Sequence, residues 1–161
     1  GCSVFDNVRI ACHLHAGYGL LPALLQSRAW RRGEDLIAER TMALLERFGL
    51  AEACDELGTS LPYGDQRRLE MARALATEPQ LLLLDEPAAG MNPTEKVELM
   101  AQIRRLRDDF DLTILLIEHD MKVVMGICER ILVLDHGEPI ALGTPEEVRA
   151  NPAVIRAYLG E

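Results

Sequence analysis

Two runs of branched apolar residues constrain this chain more than anything else in it. Leu81-Leu82-Leu83-Leu84 and Thr113-Ile114-Leu115-Leu116-Ile117 are each strand-sized, and each stops abruptly at carboxylates, Asp85-Glu86 and Glu118-His119-Asp120. Between them Thr94 to Phe110 places Leu99, Ile103, Leu106 and Phe110 on one helical face, with Asn92-Pro93-Thr94 as a start signal. Strand, helix, strand with uninterrupted apolar runs predicts a parallel sheet covered on both faces. Open sheets of this kind gather ligand groups at the carboxyl ends of their strands, where these acids stand.

The remaining chain is arranged around that unit. Val4, Val8 and Cys12 form a helical stripe, and Glu34 to Leu50 repeats Ile37, Leu44, Leu45 and Phe48 near the 3.6-residue period, with Gly49 as its stop. Gly17-Tyr18-Gly19 and Arg28 to Gly33 read as loop or turn, and Asp65 to Thr77 as a helix ending before Pro79. Arg130 to Asp135 and Pro139 to Leu142 read as a hairpin turning at His136-Gly137, followed by helical Pro145 to Ala150 and Ala153 to Leu159. The organisation expected is a helical subdomain over 1–78 and an α/β part over 79–161.

Composition removes several function classes. With 17 Lys and Arg against 26 acids the net charge is −9, the wrong sign for a general nucleic-acid binder. No apolar run approaches the roughly 18 residues of a membrane helix, and the first residues lack the basic and apolar regions of a secretory signal. Cys2, Cys12, Cys54 and Cys128 are scattered without a C-x-x-C pair, which fits reduced thiols in a cytosol.

The residues that carry chemistry sit at the strand ends. Four apolar residues followed by Asp85-Glu86 resemble a Walker B strand, in which the first acid would hold a metal and the second polarise the attacking water beside the γ-phosphate of a nucleotide. Because successive strand residues point in opposite directions, the two acids could serve those separate tasks. Taken alone, the pair could equally be an exposed acidic turn. His119, at the end of the neighbouring strand, could contact that phosphate, whereas Glu118 and Asp120 read as solvated or structural. Arg67, Arg68 and Arg73 read as solvated helix faces and local ion pairs. In Leu61-Pro62-Tyr63-Gly64-Asp65-Gln66, a glycine turn feeds a helix N-terminus, which aims N–H groups and a positive dipole end at an anion.

In this order, Leu61-Pro62-Tyr63-Gly64-Asp65-Gln66, Leu84-Asp85-Glu86-Pro87, Ala88-Ala89-Gly90-Met91-Asn92-Pro93 and Glu118-His119-Asp120 closely resemble the signature loop, Walker B strand, D-loop and switch-histidine loop of ABC transporter ATP-binding subunits. The finer wording, through Ile155-Arg156-Ala157-Tyr158-Leu159-Gly160-Glu161, is most similar to the LivG-type ATPases of branched-chain amino-acid importers, with the lipopolysaccharide-export ATPases a close second. The resemblance implies an α/β fold, part of a P-loop NTPase core with a mostly parallel sheet and flanking helices, plus an α-helical subdomain. It implies ATP and Mg²⁺, with Asp85 on the metal, Glu86 as catalytic base and His119 as the γ-phosphate switch. Tyr63, Gly64, Asp65 and Gln66 would meet ATP held by a second ATP-binding subunit, and Asn92 would face that partner. The other partners implied are transmembrane permease subunits and, indirectly, a periplasmic binding protein, with no nucleic acid. The implied location is the cytoplasmic face of the inner membrane. Two motifs depart from the common pattern: Pro62-Tyr63-Gly64-Asp65 stands for Ser-Gly-Gly-Gln in the signature loop, and Asn92 for aspartate in the D-loop.

One family element is not found in the 161 residues. A P-loop requires G-x-x-x-x-G-K-[ST], yet the only lysines, Lys96 and Lys122, follow Glu95 and Met121. The chain is therefore expected to be the C-terminal portion of a cassette, inactive alone, with the Asp85 strand left without a neighbour and apolar surface exposed. It could also act as a non-catalytic permease-docking module.

Overall fold

A computed structural model describes residues 1–159; Gly160 and Glu161, which close the C-terminal motif, lie outside the described residues. The chain divides into two compact units, Gly1–Gln80 and Leu81–Glu161.

The first unit is helical. Ser3 caps α1 (Val4–Cys12) by accepting from the Asp6 amide at 3.0 Å, and the stripe Val4, Val8 and Cys12 is buried as its spacing requires. After a 3₁₀ turn at His13–His15 comes α2 (Leu20–Leu24), a five-residue helix with no buried side chain. α3 spans Arg28–Arg47, so the segment Arg28 to Gly33, expected to be loop, is its first turns. The correction has a local cause: Ser27 accepts from the Trp30 amide at 3.3 Å and starts the helix before the apolar stripe begins. The stop lies where Gly49 predicts. With φ of +68° Gly49 donates to the Glu46 carbonyl at 3.0 Å while Leu50 donates to Leu45 at 2.8 Å, which makes a Schellman motif. α4 (Tyr63–Leu75) follows two 3₁₀ turns, and α1 packs against α3 and α4.

A polar cluster ties this unit together. The Glu34 carboxylate on α3 accepts from the Arg9 guanidinium, from Tyr18 Oη and, at 3.1 Å, from His13 Nε2. Hydrogen bonds from Tyr18 and then Arg9 pull its pKa down to about 2. Gly33 makes room for the tyrosine, since a Cβ there would lie 2.4 Å from the Tyr18 ring.

The second unit holds two two-stranded sheets among the described residues. β1 (Leu81–Asp85) and β2 (Thr113–Ile117) pair in parallel from Leu81↔Thr113 to Asp85↔Ile117. This is the parallel pairing that strand, helix, strand predicts, and it corrects the expectation that the Asp85 strand is left without a neighbour, because the helix joining the two runs returns the chain alongside it. That helix, α5 (Pro93–Phe110), starts at an Asn92 capping box and buries Leu99, Ile103 and Leu106. The sheet is not covered on both faces: Leu82 and Leu84 are buried, whereas Leu81, Leu83, Leu115 and Ile117 are more than half exposed. After α6 (Met121–Ile127), β3 (Ile131–Asp135) and β4 (Glu138–Gly143) form an antiparallel hairpin. Its two-residue turn has φ of +48° at His136 and +84° at Gly137, the type I′ signature that matches strand twist. α7 (Pro145–Ala150) and α8 (Pro152–Val154) bring Val148 and Val154 into a core with Val124, Ile131 and Val133. The expected helical stretch Ala153 to Leu159 is found, as this short α8 continued by a wider π turn over Ile155–Leu159. No described helix is long and apolar enough to cross a membrane.

Candidate functional site

Parallel pairing brings the ends of β1 and β2 side by side, and with them the groups singled out from the sequence. Glu86 follows β1 with φ of +45°, a left-handed conformation uncommon for a residue other than glycine, while its amide donates to the Ile117 carbonyl at 2.9 Å. This turn lifts its side chain out of the strand's alternation, and Oε1 lies 3.1 Å from His119 Nδ1. Both side chains are exposed, at 52% and 71%. Acid and imidazole, 33 positions apart in the chain, are thus neighbours in space.

Beneath them is a residue whose role the sequence does not reveal. The Glu118 side chain is only 1% exposed. Its Oε1 accepts from the Ala88 amide at 3.0 Å, and its Oε2 from the His119 and Asp120 amides at 3.0 and 3.2 Å. One buried carboxylate therefore pins the loop after β1 to the loop after β2, which sets the spacing of Glu86 and His119. An acid at a strand end normally reads as solvated; only its position between two loops that must be held together could have marked it. Asp120 is also structural: Oδ1 caps α6 through the Lys122 amide at 2.9 Å, and Oδ2 accepts from Lys96 Nζ at 2.6 Å. The Lys96 ammonium is the main cause that holds the Asp120 carboxyl below its ordinary range.

Asp85 ends β1, exposed and without a side-chain partner among the described residues. No group of three or more His, Cys, Asp or Glu able to hold a metal occurs among the described residues. A lone carboxylate suits Mg²⁺, a hard cation that keeps several waters and binds through one or two carboxylates plus substrate phosphates, and does not suit a metal needing an all-protein cage. Asn92 is committed locally, since its Oδ1 accepts from the Thr94 and Glu95 amides at 2.9 and 3.0 Å.

The glycine segment belongs to the first unit, at the start of α4. Asp65 and Gln66 amides donate to the Pro62 carbonyl, both at 3.0 Å, which leaves those of Tyr63 and Gly64 without a partner among the described residues. A Cβ at Gly64 would meet nothing within 4 Å, so the space beside these amides is open. Gln66 Nε2 donates to the Leu61 carbonyl at 2.8 Å and holds the turn. Asp65 pairs with Arg68 at 3.2 Å, and Arg67 pairs with Glu70 at 2.6 Å while lying over the Tyr63 ring. For Arg67 and Arg68, local ion pairing is thus what the structure shows.

The chain is similar to known proteins along most of its length. The family model described as ABC transporter matches residues 3–89, and the one described as branched-chain amino acid ATP-binding cassette transporter matches 138–161. The chain is 52% identical over 159 residues to the high-affinity branched-chain amino acid transport ATP-binding protein LivG of Salmonella typhimurium, covering 99% of this chain and 62% of that protein. To BraF of Pseudomonas aeruginosa, which carries the same description, it is 47% identical, covering 97% and 61%. To the lipopolysaccharide export system ATP-binding protein LptB of Escherichia coli it is 40% identical, covering 89% and 59%. Among solved structures, cbiO1 from Clostridium perfringens, part of an ABC transporter complex, has a TM-score of 0.76 at 29% identity, covering 96% of this chain and 56% of that one. The ADP conformation of MJ1267, an ATP-binding cassette, also gives 0.76, at 26% identity, covering 99% and 63%. The chain spans about 62% of the length of the LivG relatives it matches.

Proposed function

The chain belongs to the ABC transporter family, and on that premise we propose that it forms part of an ATP-hydrolysing subunit that drives import of branched-chain or related amino acids. The observation that carries the reading is the meeting of Glu86 and His119, 3.1 Å apart beside Asp85 at the ends of paired parallel strands. Glu86 is the general base: its carboxylate orients the attacking water and accepts its proton. His119, held by Glu86 on one ring nitrogen, presents the other to the γ-phosphate and loses that contact when phosphate leaves. Asp85 would hold Mg²⁺, which when bound neutralises charge developing on the phosphate oxygens. The open amides of Tyr63 and Gly64 at the start of α4 suit the γ-phosphate of ATP on a second ATP-binding subunit. Asn92 would stand at that dimer contact, its side chain kept in place by the cap of α5.

The substrate class rests on the relatives: 52% and 47% identity to proteins named for branched-chain amino acid transport, against 40% to the export protein. Permease subunits and a substrate-binding protein would be the further partners, with the subunit on the cytoplasmic side of the membrane. Because neither lysine follows a glycine, the 161-residue chain by itself should show no Mg²⁺-dependent ATPase activity. The test joins the chain to the segment of the Salmonella relative that precedes the region of similarity, and introduces the fusion into a strain lacking that relative. Leucine uptake and ATP hydrolysis are expected, both lost in Glu86→Gln. Hydrolysis without leucine uptake would reject the substrate class, and hydrolysis that survives Glu86→Gln would reject the assigned base.

A further inference from the structure

The first unit carries a surface that nucleotide chemistry does not use. α2 and the residue after it place Leu20, Leu21, Leu24 and Leu25 within one arc of helical surface, and all four are between 67% and 91% exposed. Two residues later α3 opens with Arg28, Arg31 and Arg32 at i, i+3 and i+4, on one face of its first turns. All three arginines are exposed and make no ion pair among the described residues. The charge is segregated: from Asn7 to Gly33 there are four arginines and not one of the chain's 26 acids, although the protein as a whole is at −9.

A leucine ridge on α2, followed closely in the chain by a cluster of unpaired guanidiniums on the helix that α2 packs against, matches a surface that is apolar in one layer and negative in the next. We infer that the segment Leu20 to Arg32 lies on an anionic lipid bilayer, with the leucines in the acyl boundary and the arginines among the headgroup phosphates. A covering protein face would have to supply an apolar patch and matching acids together, whereas an anionic bilayer presents both as neighbouring layers. No acid lies between Asn7 and Gly33 to oppose such contact within the segment, and of the two acids that follow directly, Glu34 is already engaged by Arg9, Tyr18 and His13 while Asp35 is exposed. The inference uses the first unit alone and is independent of the proposed catalytic reading.

Flotation of the full chain with phosphatidylglycerol–phosphatidylcholine vesicles, and with phosphatidylcholine vesicles, tests it. Binding is expected to the anionic vesicles only, weakened by high salt, with a blue shift in emission of Trp30, the chain's single tryptophan. Arg28→Gln, Arg31→Gln and Arg32→Gln together should lower partitioning roughly 100-fold, and Leu20→Ser with Leu24→Ser should lower it about tenfold or more. Because these side chains are exposed, both variants should keep the wild-type circular dichroism, and the arginine variant leaves the helix's apolar residues untouched should the leucine variant unfold. No flotation, equal flotation with neutral vesicles, or partitioning unchanged in the arginine variant overturns the inference. A leucine variant that instead breaks up a dimer, or releases a permease, with vesicle binding absent also overturns it and assigns the ridge to protein.

Discussion

Glu118 shows how one side chain decides the geometry of others. It brings three backbone donors to a single buried carboxylate, and removing it leaves the part-buried Ala88 and Asp120 amides without their acceptor, while water can replace it at the exposed His119 amide. Glu118→Ala should therefore destabilise the second unit by about 2 kcal/mol, read as a lower urea midpoint. Glu118→Gln keeps an acceptor oxygen and should cost less. The Glu34 cluster yields a pH dependence. Its carboxyl has a lowered pKa in the folded chain, near 2 against an ordinary 4.5, so the unfolded state binds the proton first. The stability it contributes is complete above about pH 4.5 and drains away as the pH falls toward 2. Urea midpoints of wild type and Glu34→Gln should differ at neutral pH and converge across that window. At the residue scale the sequence exposes what is adjacent and hides what is assembled. Asp85, Glu86 and His119 are legible because they end strands, while the Arg9, His13, Tyr18 and Glu34 cluster joins positions up to 25 apart that no local pattern connects.

Elements are legible where periodicity and punctuation agree. Both strands, α5 and the hairpin turn lie where their apolar runs and turn residues point. α3 departs because Arg28 to Gly33 carries polar residues and a glycine, which read as turn, while the Ser27 cap overrides them. α6 escapes for a related reason: only seven residues long and containing Gly126, it has too few turns to show a period, yet the Asp120 cap starts it. Caps thus carry measurable stability here. Gly49→Ala places a Cβ on a residue at φ +68° with no steric neighbour, so its cost is backbone strain alone, about 1 kcal/mol in a thermal or urea melt. Asn92→Ala removes the acceptor of two amides at the start of α5 and should cost about 1 kcal/mol. Asn92→Asp keeps the cap and should melt close to wild type. If Asn92 also serves a dimer contact, the aspartate variant would change association while leaving the melt unchanged, which separates the two roles.

On the scale of the whole molecule the exposed face of the parallel pair departs from the two-sided cover its apolar runs imply, and agrees with the exposed apolar surface expected of a chain in which no P-loop is found. Continuous apolar runs imply two covered faces, but only the face of Leu82 and Leu84 is buried; Leu81, Leu83, Leu115 and Ile117 stand 52%, 64%, 55% and 58% exposed. The sequence pattern records the need for cover, and no pattern within a strand can say which segment supplies it. In solution that face has one inexpensive remedy, pairing with the same face of another chain, which removes apolar surface at roughly 25 cal/mol per Å². The net charge of −9 opposes such association but acts over a distance that salt shortens. Sedimentation velocity should therefore show self-association that strengthens as salt is raised, the opposite of the salt response expected for vesicle binding. Leu83→Thr with Leu115→Thr keeps the strand preference of both positions while removing most of their exposed apolar area. That pair should weaken self-association about tenfold or more and leave the arginine-dependent flotation unchanged. Association that persists in the double variant would show that the sheet face is not the surface through which the chains meet.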